Sequence, residues 1–184
     1  GGIAEGKVDP MAFSLRLTGR FTPKASGVHR CGVFATGPIR LLVDGKLVAS
    51  AWEGWTPGST FFEEGCDEVT GEVMLEAGRA HEVVVEFASK ASANLVFSAL
   101  QAGIGKPLGQ AEISEAVALA QQCETVILCV GRNGEWDTEG TDLPHIRLPG
   151  MQDGLIAAIA KANPNTIVVL QTGGPVEMPW LNDA

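Results

Sequence analysis

Residues 124–150, ETVILCVGRNGEWDTEGTDLPHIRLPG, join a short apolar run to a long polar loop. An amphipathic segment follows over residues 152–162, and a second apolar run, TIVVL, occupies residues 166–170. This order predicts a buried strand, a loop, a helix and another buried strand. With an amphipathic pattern over residues 111–123, it predicts an α/β unit with parallel strands and a right-handed crossover. Two strands are too few for a sheet covered on both faces, so we expect part of a larger α/β domain.

The loop over residues 131–150 carries the candidate chemistry of the chain. Its acidic and aromatic residues are Glu135, Trp136, Asp137, Glu139 and Asp142. Loops of this kind emerge at the carboxyl ends of parallel strands, where ligands bind in open α/β sheets. Carboxylic acids can transfer protons, and an aromatic ring offers a flat apolar face to a sugar. A solvated acidic loop is the alternative, but the length of the loop, its flanking glycines and its tryptophan favour a ligand site.

Residues 13–100 show a period of two instead. Ile39, Leu41 and Val43, for example, lie at every second position. His81, Val83, Val85 and Phe87 do the same, which predicts half-buried strands. The dipeptide Asp44-Gly45 fits the left-handed conformations of a tight hairpin. Many short alternating strands separated by turn residues predict an antiparallel β-sandwich.

Residues 52–68, WEGWTPGSTFFEEGCDE, interrupt this alternation with four aromatic side chains. Two interpretations stay open. The rings of Trp52, Trp55, Phe61 and Phe62 either close one end of the sandwich or present one or two stacking faces to a ligand.

The composition narrows the class of protein. The 184 residues are 45% hydrophobic and carry a net charge of −9, which indicates a packed globular protein. The negative charge argues against nucleic acid or an anionic membrane as a partner. No apolar run reaches the roughly 18 residues of a membrane-spanning helix, and no signal-peptide pattern opens the chain. We therefore expect a cytoplasmic location, with a secreted or periplasmic one as the alternative if a signal peptide lies upstream.

The cysteines and histidines give no metal-binding pattern. They occur singly, at Cys31, Cys66, Cys123 and Cys129 and at His29, His81 and His145. Zinc and iron sites usually show at least two closely spaced ligands, so we expect no metal and no cofactor. Buried free thiols in a reducing compartment are the simplest interpretation of the cysteines.

Four motifs in one order resemble the C-terminal α/β domain of family 3 glycoside hydrolases. They are GEWDTEGTD at residues 134–142, LPGMQDGLI at 148–156, ANPNTIVVLQTG at 162–173 and PVEMPW at 175–180. Three motifs of the first half resemble the protective-antigen-type β-sandwich that one branch of the family inserts into that domain. They are FSLRLTGRFTPKASGVHR at residues 13–30, RLLVDGKLVAS at 40–50 and LEAGRAHEVVVEF at 75–87.

The resemblance implies a multi-domain protein with the sandwich at residues 1–102, a linker at 103–110 and an incomplete three-layer α/β domain at 111–184. It also implies part of a retaining, exo-acting β-glucosidase that acts on short oligosaccharides or aryl glucosides. In that family a barrel domain supplies an aspartate nucleophile, which has no counterpart in this chain. We therefore expect the chain to be inactive alone and to need the remaining domains of the same enzyme. The sequence leaves open whether the protein forms a homo-oligomer.

The general acid/base of the family carries over onto Glu139, the glutamate of the EGxD motif. A retaining glycosidase needs one carboxylic acid that protonates the leaving oxygen and then activates water. Nearby acidic side chains favour the protonated form of such a group. Glu135 and Asp142 are the alternative candidates.

Two further features follow from the resemblance. Relatives often carry a basic residue directly after the EGxD aspartate, where this chain has Leu143, and Arg132 or Arg147 could compensate for it. The sandwich is expected to cover the mouth of the active site. The substrate-binding residues expected on this basis are Trp55, Phe61, Phe62 and Trp136.

Overall fold

The computed structural model of the chain describes residues 8–9, 12–90, 97–134, 136–137 and 142–182. It forms two compact units, Gly1–Pro107 and Leu108–Ala184. The predicted domain boundaries at residues 102 and 111 stay predictions.

The first unit consists of antiparallel strands in two sheets. Its strands are β1 (Ser14–Phe21), β2 (Gly27–Ala35), β3 (Ile39–Val43), β4 (Lys46–Ser50), β5 (Val69–Leu75), β6 (His81–Ala88) and β7 (Leu100–Gly105). One sheet has the order β1-β6-β3-β4, and the other has the order β5-β2-β7. The antiparallel strands predicted from the alternating pattern are confirmed.

One hydrophobic core joins the two sheets. Cys31 and Val33 from β2 lie in the same buried cluster as Ile39 and Leu41 from β3 and Phe87 from β6. All five side chains point inward from every second position, as a period of two requires. The unit is therefore a β-sandwich around a continuous core.

The Asp44-Gly45 turn joins β3 to β4, as predicted. Both residues have positive φ, 48° for Asp44 and 75° for Gly45. The Asp44 carboxylate also bonds Nδ1 of the buried His81 at 2.7 Å and accepts from the N–H of Glu82 at 2.9 Å. The Asp44 side chain thus links the hairpin to the start of β6, in addition to the backbone pairing of β3 with β6.

The outer face of the four-stranded sheet carries a buried acid between two arginines. Glu86 on β6 forms ion pairs with Arg16 on β1 and Arg40 on β3. Hydrogen bonds from Arg16 and then from Arg40 hold the pKa of Glu86 below its ordinary value. The Arg40 guanidinium also lies 4.6 Å from the ring centre of Trp52.

The second unit contains the predicted helices and parallel strands. They are α1 (Gln110–Ala120), β8 (Val126–Gly131), α2 (Gln152–Ala162) and β9 (Thr166–Gln171). The strands β8 and β9 pair in parallel from Val126 opposite Thr166 to Gly131 opposite Gln171. Ile156 of α2 packs with Val130, Leu148 and Trp180 in a small buried core. In the described ranges, neither helix has the length and apolar character of a membrane span.

Among the described residues, only one face of the parallel sheet is covered, so the prediction of two buried strands is wrong. Ile127 is 67% exposed, Ile167 is 53% exposed and Val169 is 44% exposed. These residues alternate with the partly buried ones that face α2. The apolar runs extend over both faces, but in this chain a helix covers only one of them.

The prediction that all four cysteines are buried is also wrong. Cys31 and Cys66 lie in the core of the sandwich, and burial raises the pKa of the Cys31 thiol. Cys129 is exposed on the uncovered face of the parallel sheet, and Cys123 is exposed shortly after α1. The exposure of Cys123 and Cys129 depends on which neighbouring elements pack against them, and the local sequence does not specify this.

Candidate active site

The polar loop leaves the carboxyl edge of the parallel sheet at Gly131. A Cβ atom at this position would lie 1.9 Å from the carbonyl oxygen of Gln171, so the ladder admits only glycine. The side-chain amide of Gln152 fixes the same residue by accepting from its N–H at 2.7 Å and donating to its carbonyl oxygen at 2.9 Å. The start of the loop is thus held by β9 and by the first residue of α2.

Arg132 and Asp137 connect this loop to the one that follows β9. The side chain of Arg132 is fully buried, and its Nε lies 3.1 Å from Oδ1 of Asp137. Its Nη2 donates to the carbonyl oxygen of Pro175 at 3.2 Å. Asp137 Oδ2 accepts from the N–H of Gly173 at 2.7 Å. Both loops are therefore joined by one buried cation and one carboxylate.

A cavity of about 400 Å³ opens between these two loops. Its lining includes Arg132, Trp136, Asp137, Asp142 and Leu143. Trp136 also lines a neighbouring cavity of about 490 Å³, and its ring centre lies 6.1 Å from that of His145. The acidic loop thus has a cavity, carboxylates and an aromatic ring on the same side of the sheet edge.

Glu139, the predicted acid/base, and its alternative Glu135 lie outside the described residues. Asp137 and Asp142, which flank Glu139 in the sequence, both line the cavity. Asp142, the other alternative, is exposed. The assignment to Glu139 stays a prediction.

The three aromatic residues predicted to bind substrate from the sandwich differ in how they are held. Trp55 is partly buried, donates from Nε1 to the carbonyl oxygen of Ala35 at 3.0 Å and has Lys90 4.2 Å from its ring centre. Phe61 lies 5.3 Å from the ring of Phe34. Phe62 is 64% exposed. Phe62 is therefore the ring most available to a ligand among these three.

The backbone at the tip of this aromatic loop is left-handed over three successive residues. Phe61, Phe62 and Glu63 have φ values of 50°, 59° and 65°. The tip is closed at its base by Asp67, whose carboxylate accepts from both the N–H and the hydroxyl of Ser59 at 2.8 Å. These bonds hold the pKa of Asp67 below its ordinary value. The fold thus maintains a conformation that costs an L-residue roughly 1–2 kcal/mol.

The local sequence does not reveal the contacts of Gln152 with Gly131 or of His145 with Trp136. Gln152 was only part of a motif, and His145 was one of three scattered histidines. From the sequence, Arg132 is one of two cations that could compensate for Leu143. The available signal for Arg132 was a charged residue directly after an apolar strand, a position at which its side chain can turn back into the fold. In the described part of the chain, no three histidine, cysteine or acidic side chains form a metal-binding group.

Comparison with known proteins identifies the family. Residues 35–184 match the glycosyl hydrolase family 3 C-terminal domain. The chain belongs to glycosyl hydrolase family 3, and the resemblance of its sequence motifs to this family is confirmed.

Similar proteins carry the name β-glucosidase. A β-glucosidase from Rhizobium radiobacter is 50% identical and aligns with 97% of this chain and 22% of its own length. The probable β-glucosidase J of Emericella nidulans is 38% identical over the same shares of the two chains. The crystal structure of β-glucosidase from Kluyveromyces marxianus in complex with glucose superposes with a TM-score of 0.87 at 35% identity. That superposition covers 97% of this chain and 22% of the other. The chain therefore spans about a fifth of the length of these relatives.

Proposed function

We propose that this chain is part of a retaining, exo-acting β-glucosidase and supplies its general acid/base, Glu139. The proposed substrates carry terminal β-D-glucosyl residues on short oligosaccharides or aryl groups. The observation that carries the proposal is that Asp137 and Asp142, on either side of Glu139 in the chain, line one cavity together with Trp136. The names of the similar proteins support the choice of sugar.

The proposed chemistry needs one carboxylic acid that changes its protonation state between two steps. The acid first protonates the glycosidic oxygen as the bond to the leaving group breaks, and the resulting carboxylate then takes a proton from the attacking water. Asp137 is an unsuitable candidate for this task because its carboxylate is engaged by Arg132 and by the N–H of Gly173. Asp142 and Glu135 are the alternatives to Glu139.

The nucleophile of the proposed reaction lies outside this chain. A retaining glycosidase forms a covalent glycosyl–enzyme intermediate on a second carboxylate, and family resemblance assigns that carboxylate to a barrel domain. The chain spans only 22% of the similar β-glucosidases, which leaves ample length for such a domain in a longer protein. We expect the 184-residue chain alone to show no hydrolase activity.

From the family resemblance, we propose that the aromatic loop of the sandwich contacts the substrate. Phe62 is the proposed contact with the leaving group, supported by its exposure and by the left-handed backbone that holds it. Phe61 and Trp55 are proposed to shape the same surface while packing against the sandwich. Trp136, which belongs to the second compact unit of the chain, is proposed to stack against the glucosyl ring.

The decisive experiment is Glu139→Gln in the longer protein that contains this chain. Turnover of alkyl glucosides and cellobiose should fall by about 10²–10⁴-fold, because these leaving groups need a proton. Dinitrophenyl glucoside, whose leaving group departs without a proton, should retain rapid glycosylation, visible as a burst. Asp142→Asn is the matched control and should affect both substrates alike. Full turnover of alkyl glucosides by Glu139→Gln would refute the assignment.

A non-catalytic carbohydrate-binding or adhesion module is the second candidate, favoured only by the exposed Phe62 on the sandwich. Such a module needs aromatic faces but no acid whose protonation state must change. Calorimetric titration of the 184-residue chain with glucose and cellobiose would detect it. Binding that Phe62→Ala abolishes, combined with unchanged hydrolysis in Glu139→Gln, would support this second function.

A further inference from the structure

We propose that Asp137 is a positioning residue for sugar binding, because it fixes the neighbouring Trp136 against the loop that follows β9. The inference rests on the proposed function in one respect, the contact of Trp136 with the glucosyl ring. The acid/base residue has no part in it.

Trp136 borders both cavities at the carboxyl edge of the parallel sheet. It lines the cavity of about 400 Å³ and the neighbouring one of about 490 Å³, and its side chain is partly buried. Its ring centre lies 6.1 Å from that of His145, with 33° between the ring planes. This distance is within the range of aromatic pairs, so His145 supports the indole. Because the indole borders both cavities, a shift of its backbone would change the surface that a sugar meets in either one.

The backbone of Trp136 is held by a hydrogen-bonded turn. The carbonyl oxygen of Asn133 accepts from the N–H of Trp136 at 3.0 Å and from the N–H of Asp137 at 2.9 Å. All three residues belong to the same loop, so these bonds fix the shape of the turn but not its distance from the loop after β9. An attachment outside the turn has to set that distance.

The Asp137 carboxylate supplies this attachment. Its Oδ2 accepts from the N–H of Gly173, in the loop after β9, at 2.7 Å. Its Oδ1 lies 3.1 Å from Nε of the buried Arg132, whose Nη2 donates to the carbonyl oxygen of Pro175 in the same loop. A Cβ atom on Gly173 would lie only 3.1 Å from the Cβ of Asp137, so the two loops meet closely at a glycine. The residue that follows Trp136 is therefore fixed both to β9's loop and to the end of β8.

The charge of Asp137 matters as well as its hydrogen bond. The Arg132 guanidinium is fully buried and stays protonated, and its Nε and Nη1 form no hydrogen bond with the described part of the chain. Of the described carboxylates, Asp137 is the one within ion-pair distance of it. An asparagine at position 137 could still accept from Gly173, but it would leave a buried cation without a counter-charge, which is strongly unfavourable. If Arg132 is made neutral at the same time, this penalty disappears and the bond to Gly173 remains.

The experiment uses the longer protein and measures the inhibition constant of glucose together with KM and kcat for a nitrophenyl glucoside. Trp136→Ala should raise the inhibition constant and KM about 2–10-fold, the strength of one aromatic contact. Asp137→Asn should raise both by a similar factor and change kcat less, because it displaces the ring that binds the sugar. The double variant Asp137→Asn/Arg132→Met should return the inhibition constant to within about twofold of the original value. A carboxylate that contacted the sugar directly would not be rescued in this way.

Glu177→Gln is the matched control, since it neutralises an exposed carboxylate shortly after the same loop, and it should leave all three constants unchanged. An unchanged glucose constant in Trp136→Ala would refute the sugar contact itself, whereas the acid/base assignment is tested separately by Glu139→Gln. If Trp136→Ala raises the constant and Asp137→Asn does not, the positioning role is refuted. A double variant that binds glucose as weakly as Asp137→Asn would also refute it. If Asp137→Asn alone does not fold, the double variant decides, and a loss of glucose affinity equal to that of Trp136→Ala contradicts the proposal.

Discussion

The side chain of Gln152 bonds both backbone polar groups of Gly131, as a neighbouring strand would. Its Oε1 accepts from the N–H of Gly131 at 2.7 Å, and its Nε2 donates to the carbonyl oxygen of Gly131 at 2.9 Å. Its Nε2 also donates to the carbonyl oxygen of Pro149 at 3.1 Å. Since Gln152 is the first residue of α2, this contact sets where the helix begins relative to the end of β8. The contact therefore joins the two ends of the loop between β8 and α2.

The close approach at Gly131 predicts a costly substitution. In Gly131→Ala, the new Cβ would meet the carbonyl oxygen of Gln171 at 1.9 Å, so β8 and β9 must separate locally. We expect a loss of about 1–3 kcal/mol in the free energy of unfolding, the usual cost of overpacking. Urea denaturation of the 184-residue chain measures it. Gly134→Ala, whose Cβ would meet no described atom within 4 Å, is the control, and equal losses in both variants would contradict this explanation.

The left-handed tip of the aromatic loop predicts an unusual benefit from glycine. Phe62→Gly should be more stable than Phe62→Ala by about 1 kcal/mol, because only glycine adopts a φ near 59° without strain. Phe61→Ala should instead lose about 1–2 kcal/mol, since its ring packs against Phe34. Urea midpoints of the three variants test both statements. A Phe62→Ala chain at least as stable as Phe62→Gly would show that the tip is not strained.

The Arg16–Glu86–Arg40 cluster predicts a component of acid sensitivity. Both arginines lower the pKa of Glu86 in the folded chain from an ordinary value of 4.5. The contribution of these ion pairs to the free energy of unfolding is therefore fully present above pH 4.5. It is lost as the pH falls through the lowered folded pKa. Glu86→Gln should therefore reduce stability at pH 7 and flatten its decline below about pH 4.5. Urea midpoints between pH 7 and pH 2 measure the change. Glu76→Gln, in the exposed turn before β6, should leave the decline as it is, and the same flattening there would contradict the assignment.

The cysteine environments predict how many thiols react. In the native 184-residue chain, Cys123 and Cys129 should react within minutes with a chromogenic disulfide reagent. Cys31 and Cys66 should react only after the chain unfolds, because both are buried. In the longer protein, we expect Cys129 to be protected because additional polypeptide covers the apolar face around it. Mass spectrometry of labelled peptides identifies the sites. Equal labelling of Cys129 in both proteins would show that this face stays uncovered.

Much of the local structure could be predicted from the sequence. Alternation over residues 81–87 gave strand β6, and Asp44-Gly45 gave the hairpin, because each depends on the conformational preferences of a few neighbouring residues. Four motifs in one order gave the family, which the comparison confirmed. The catalytic and substrate-binding assignments stay predictions.

The tertiary structure decided which of several similar side chains matter. Nothing local distinguishes Phe61 from Phe62, yet one packs against Phe34 and the other faces solvent. Likewise, Arg132 and Arg147 lie in the same loop, and only the fold buries the first against Asp137 and Pro175. Strand periodicity and turn conformation depend on residues that are adjacent in the sequence. The burial and pairing of Arg132 depend on groups as far as 43 positions away, which meet it only when β8 and β9 pair.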